Sequence, residues 1–261
     1  MNMKSKIGLV GALTLVAIGC GTKEATGPLV AEGPAGRVRF VNLITDPARN
    51  PVNAILEGVP FGVNLGYGGT TPSSLPTPST ANYSAVLTGN RTIVLQRTAN
   101  TSVEVGRITF TIGENEDRTV YATGGTAGAA VTNFITTDAN PAPASNQVRL
   151  RFVNMATNGV AYDYFVTAPN ADLSTATPIA TNVGNQTASA YVTVPPGTYQ
   201  VRVVPTGTDP TLRSTSVALT YVVGSPATSS IALAGGTART FVTAMSSSGA
   251  TPLAGFILPD R

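Results

Sequence analysis

Histidine is missing from all 261 residues, and cysteine occurs once, at Cys20. Without imidazole there is no Ser-His-Asp triad, no histidine acid–base step near neutral pH, and almost no route to a catalytic zinc or iron site. What remains for chemistry is 13 acidic residues and 16 basic ones. A glycosidase needs only two carboxyls, about 5–10 Å apart. Acids scattered through turns, however, read as solvated charges. Asp163, in "YDYF", lies between aromatics on a strand, and period-two alternation turns it toward water while Tyr162 and Tyr164 pack inward. Glu114, Glu116 and Asp117, in "GENED", are candidate oxygen ligands for Ca²⁺, although the spacing is not that of an EF-hand. A solvated hairpin tip is the plainer reading, and no metal is expected. Arg39 and Arg151, accompanied by Arg37 and Arg149, recur on the polar face of matching strands. Cross-strand pairs with Asp or Glu, worth about 0.2–1 kcal/mol each, are favoured there, with an acidic binding partner as the alternative. "GTAGAA" at 125–130 lacks the lysine and following helix of a phosphate loop, so no cofactor is expected.

The lone cysteine has a different explanation. Lys4 and Lys6 precede an apolar run, "IGLVGALTLVAI" at 7–18, and small residues lead to Cys20. Basic flank, short apolar stretch and small-residue exit make a secretory signal over 1–19, and the run is too short to span a bilayer. "AIGC" at 17–20 resembles a bacterial lipobox, which implies lipidation of Cys20 and stable anchoring by two or three acyl chains. Gly21, in place of Asp, implies sorting to the outer membrane. Once Lys4 and Lys6 are removed, 14 basic residues face 13 acidic ones, a net of +1. That balance excludes nucleic acid as a partner, since nucleic-acid binding needs clustered Lys and Arg.

The rest of the chain repeats. "GRVRFVNLITD" at 36–46 returns as "VRLRFVNMATN" at 148–158, and further segments recur in order, ending with "TNFITTD" at 132–138 and "AGFILPD" at 254–260. The spacing predicts a flexible tether at 20–35, a first domain at 36–138, a Pro/Ala linker at 139–146 and a second domain at 147–261. In "RVRFVN", "ITFTI" and "YQVRV", apolar and polar residues alternate with period two, the pattern of strands with one buried and one wet face. "VPPGTY", "GENEDR" and "AGGTA" read as hairpin turns. Six or seven short strands per unit predict two tandem immunoglobulin-like antiparallel β-sandwiches, an all-β fold.

The order "(V/L)RFVN", "DYFV", "YVTVPPGTYQVRV" and "RTFVTA" resembles the bacterial domain of unknown function family 4397. The resemblance extends twice over nearly all of 36–261 and is closer in the second copy. The first copy has "VLTGNRT" at 86–92 and an insertion, "TTPSSLPTPST", at 70–80. It implies a secreted or surface-anchored module without established activity. The expectation is therefore a non-catalytic envelope lipoprotein that binds or scaffolds an extracellular protein or glycan and meets the membrane through its lipid. The alternatives are a carboxylate-dependent enzyme acting on glycans and an assembly subunit working by strand addition.

Overall fold

The computed structural model describes residues 33–72, 82–124, 130–138, 141–248 and 252–260. Cys20, the signal and most of the tether and insertion lie outside the described residues. The N-terminal half forms strands β1 (Ala35–Ile44), β2 (Val52–Leu56), β3 (Val59–Leu65), β4 (Thr70–Thr71), β5 (Ser84–Leu87), β6 (Gly89–Arg97), β7 (Asn100–Ile112), β8 (Asp117–Gly124) and β9 (Val131–Thr137). The C-terminal half forms β10 (Val148–Asn154), β11 (Tyr162–Thr167), β12 (Ala180–Val183), β13 (Thr187–Ala188), β14 (Val192–Val194), β15 (Gly197–Pro205), β16 (Leu219–Thr220), β17 (Ile231–Leu233), β18 (Thr237–Met245) and β19 (Leu253–Pro259). Valine, isoleucine, phenylalanine and threonine dominate these runs, residues whose branching or ring suits a pleated, half-buried surface. Among the described residues the helical content is one 3-10 turn, Pro210–Leu212, capped by the Asp209 side chain on the Thr211 amide.

Four sheets result. Sheet I has the order β4-β1-β8-β9, with β5 also on β1, and sheet II the order β3-β2-β6-β7. Sheet III, β13-β10-β18-β19 with β14 on β10, and sheet IV, β12-β11-β15-β16 with β17 on β15, repeat that plan in the second half. The fold is all-β as expected; sheets II and IV are antiparallel, but sheets I and III are mixed. β1 runs parallel to β8 and β10 parallel to β18. The three segments read as hairpin turns explain the difference. "GENEDR" carries the chain from β7 in sheet II to β8 in sheet I, "VPPG" from β14 in sheet III to β15 in sheet IV, and "AGGT" from β17 back to β18. Each is a crossing between layers, and the strands that return through "GENEDR" and "AGGT", β8 and β18, enter beside β1 and β10 in the same direction.

The layers stack in the order II, I, III, IV. Val38, Phe40, Val52, Leu56, Ile93 and Phe110 are among the residues filling the space between sheets I and II. Phe152, Tyr164, Val201, Tyr221 and Phe241 do the same between III and IV. Phe152 stacks on Tyr164 at 4.6 Å and lies 5.7 Å from Phe241. A third cluster, with Val41, Leu43, Tyr121, Val153, Met155, Val242 and Leu258, joins sheet I to sheet III. The central strands of sheets I and III, β1, β8, β10 and β18, are therefore covered on both faces, which corrects the expectation of one wet face there. Gly68 shows how tight the join is. Its φ is +77°, and a Cβ there would lie 2.6 Å from Cε1 of Phe256 in the other half.

The repeated "FVN" has a local task. Asn42 and Asn154 are both fully buried. The Asn42 amide donates to the carbonyls of Leu65 (2.9 Å) and Gly66, and that of Asn154 to the carbonyls of Val160 and Val183, both 3.0 Å. Each pins the loop next to its strand. In the second core, Thr243 Oγ1 lies 2.9 Å from the hydroxyls of both Tyr164 and Tyr221. Thr243→Val keeps the shape but removes the hydrogen-bond partner that the two phenols share. We expect a loss of about 1–3 kcal/mol, read as a lower urea midpoint with unchanged slope.

Candidate functional site

The densest group of ionisable side chains lies where sheets I and III meet. Arg39 leaves β1 on the same face as Val41 and Leu43, and Arg151 leaves β10 on the face of Val153 and Met155. Both point into the join and are 3% exposed. Within its own half, Arg39 donates from Nε and Nη2 to Thr119 Oγ1 at 3.1 and 2.8 Å. Across the join it donates to Asp260 Oδ1 at 2.9 Å and to the Pro259 carbonyl at 2.6 Å. Arg151 mirrors this. It donates to Thr240 Oγ1 at 3.1 and 2.8 Å in its own half, and across the join to Asp138 Oδ1 at 2.5 Å and the Thr137 carbonyl at 2.8 Å.

The acids are held reciprocally. Thr119 and Tyr83 donate to Asp138 Oδ2, at 2.5 and 2.7 Å, and Thr136 donates to its Oδ1. Thr240 and Tyr191 donate to Asp260 Oδ2, at 2.6 and 2.9 Å. The Arg39 guanidinium lies 4.6 Å from the Tyr83 ring centre, and that of Arg151 lies 4.7 Å from the Tyr191 ring centre. The correspondence breaks at Tyr121, whose counterpart in register is Val242 and whose buried hydroxyl has no hydrogen-bond partner among the described residues.

The two carboxyls are not equivalent. Burial acts to raise Asp138, but the charges of Arg151 and Arg39 outweigh it and hold the carboxyl below its ordinary value. Burial, with the negative charge of Asp138, pushes Asp260 above its ordinary value. Burial opposes the charge on both arginines too, yet the surrounding phenols and carboxylates keep each above its usual range. A lowered carboxyl stabilises the fold above its unfolded-state value and stops doing so as the pH falls. A raised one contributes fully only in acid and loses that contribution as the pH rises through its folded-state value. Asp138→Asn is therefore expected to destabilise most at neutral pH and progressively less in acid, whereas Asp260→Asn costs less at neutral pH. Melting temperatures of both variants between about pH 3 and pH 7 check this. An equal cost for the two at neutral pH would contradict the asymmetry.

Arg39 and Arg151, for which the sequence favours pairs with Asp or Glu and offers an acidic binding partner as the alternative, are paired with aspartates inside the chain. Period-two alternation put them opposite the core correctly, but that face is covered by the other half. Arg37 is half-exposed and grips Asp117 with two bonds of 2.7 Å. The proposed Ca²⁺ ligands diverge. Asp117 is buried against Arg37, Glu116 accepts from the Gly113 amide and Arg118, and Glu114 is exposed. The Gly113 amide, then Arg118, holds Glu116 below its ordinary value despite some burial. No group of three metal-ligating side chains occurs among the described residues. Asp163 accepts from the Asn182 amide and Thr206, both at 2.8 Å, while Tyr162 and Tyr164 are buried. Asp138, Asp260, Tyr83 and Tyr191 were not singled out by the sequence. The two aspartates close the matched segments "TNFITTD" and "AGFILPD", the signal that could have found them.

Residues 36–165 match the family model described as Domain of unknown function (DUF4397). This single DUF4397 match takes in sheets I and II and runs on through β10 into β11. The sequence reading had placed the closer copy in the second half. No curated protein matches the chain. Among solved structures, a leucine-rich repeat protein from Bacteroides thetaiotaomicron aligns at 13% identity, covering 81% of this chain and 26% of that one, with a TM-score of 0.18. So poor a superposition carries no argument. No helix among the described residues is long and apolar enough to cross a membrane.

Proposed function

We propose that this chain is an exported, lipid-anchored, non-catalytic module whose two halves are tandem copies of one β-sandwich domain and work as a single rigid binding or scaffolding body at the bacterial envelope. One observation carries it: the densest cluster of ionisable groups is enclosed between the halves, each guanidinium bonded to the other half's aspartate. Groups committed in this way hold geometry and are withheld from substrate. Two sandwiches fixed against each other on a tether present one preformed surface, and a rigid surface binds with less ordering cost than a hinged pair.

Strand addition is less favoured. The long edge strand β7 carries the Glu104–Arg107 ion pair, and the β6–β7 register shifts near Leu95 and Gln96. Charge and irregular register are devices that guard an edge.

Labelled fatty acid fed to cells expressing the full chain tests the anchor. Label on the wild type, with the protein in the membrane fraction, and neither in Cys20→Ala, is the expected result. An unlabelled, freely released wild type would remove the envelope reading.

A further inference from the structure

At the other end of β19 from the ion cluster, a groove of about 570 Å³ opens along the junction of the halves. That volume falls within the roughly 300–1,000 Å³ usual for ligand pockets. Tyr67 enters from the loop between β3 and β4, Phe256 from β19, and Tyr221 and Thr220 from the segment around β16. Ser246, Ser247 and Ser248 form a hydroxyl rim just after β18. Among the described residues, none that lines the groove is Asp, Glu, Lys or Arg.

The aromatic wall is held in place. Tyr67 and Phe256 meet edge to face at 5.4 Å and 68°, and the Tyr67 hydroxyl donates to the Met245 carbonyl. Burial raises the Tyr67 phenol above its ordinary value, so it stays neutral. Gly68, beside it, leaves the space that the Phe256 ring occupies. Among the described lining residues Tyr67 is the contribution of the first half, so its pairing with Phe256 holds only while the ion cluster and the apolar join keep the halves docked.

We infer that this groove binds a neutral polysaccharide segment, a conclusion that rests on the binding-body reading above and names its ligand class. A charged ligand entering an uncharged groove would lose hydration and find no countercharge. A neutral sugar matches both parts of the wall. Its C–H faces lie against aromatic rings, whose amphipathic edges suit wet apolar surfaces. Its hydroxyls exchange hydrogen bonds with serine and threonine, each both donor and acceptor.

The test is isothermal titration of the mature chain with neutral hexasaccharides of glucan, xylan and mannan type, with hexagalacturonate as the charged control. We expect saturable binding of at least one neutral hexamer and none of hexagalacturonate. Phe256→Leu should weaken it about tenfold or more. Because Phe256 also braces the halves, Ser247→Trp is the second variant. Ser247 is exposed at the rim, so an indole there fills the mouth while the melting temperature stays at the wild-type value. Binding untouched by Ser247→Trp, preference for the charged hexamer, or no binding to any neutral hexamer overturns the inference. Capture of an extended peptide in the groove, lost in Ser247→Trp, also overturns the sugar but leaves the binding body standing. Failure of the fatty-acid labelling removes the envelope reading independently of any glycan result.

Discussion

Arg151→Met is expected to cost about 3–5 kcal/mol, the usual result of removing one member of a buried ion pair. The loss is not that of a contact alone. Asp138 would remain enclosed with the donors Thr119, Thr136 and Tyr83 but without its nearest countercharge, since Arg39 lies 3.6 Å away and is bonded to Asp260. Thr240 and the Thr137 carbonyl would lose a donor, and the Tyr191 ring its cation. A methionine fills the space without replacing any of these. Replacing both partners, Arg151→Met with Asp138→Leu, should recover most of the loss, because well-packed apolar groups of similar volume often equal a buried pair. Urea unfolding followed by far-UV circular dichroism measures both. A single-variant loss below about 1 kcal/mol would place the pair among solvated surface ion pairs.

Phe152→Ala should be equally costly, about 3–5 kcal/mol for a fully buried phenylalanine. Its ring touches Tyr164 and Phe241, so the cavity opens in the middle of the second core. The more informative part is the shape of the transition. The chain has a single cysteine, so no disulfide within it holds the halves together; they are joined by sheets I and III and the ion cluster. If that join couples them, Phe152→Ala lowers the melting temperature of the whole molecule and the transition stays single. A split into two transitions, with the first half melting as in the wild type, would show that the halves fold independently.

Much of this architecture was written locally. "ITFTI" alternates as expected, Ile108, Phe110 and Ile112 buried and Thr109 and Thr111 exposed, because strand periodicity is a property of neighbours. Sheets I and III share one strand order, as do the four-strand paths of II and IV. The misreadings came from contacts between distant residues. Arg39 and Asp260 are 221 positions apart, and nothing in the order of residues announces that they meet. A hint was present: the face that carries Arg39 also carries Val41 and Leu43, and that of Arg151 carries Val153 and Met155. An arginine followed at period two by large apolar residues belongs to a covered face. The crossings at "GENEDR" and "VPPG" were misread because turn chemistry fixes a change of direction, not the sheet the chain then joins.

In the join between sheets I and III, Arg39 of one half reaches Asp260 of the other, while Arg151 reaches back to Asp138. A contact in which each side supplies the same donor and the same acceptor is isologous, the kind two identical subunits make about a two-fold axis. Each half therefore brings one guanidinium and one carboxylate to the join, Arg39 with Asp138 on one side and Arg151 with Asp260 on the other. Joined in one chain, the two halves need not search for a mate, and the interface forms at the same strength at any dilution.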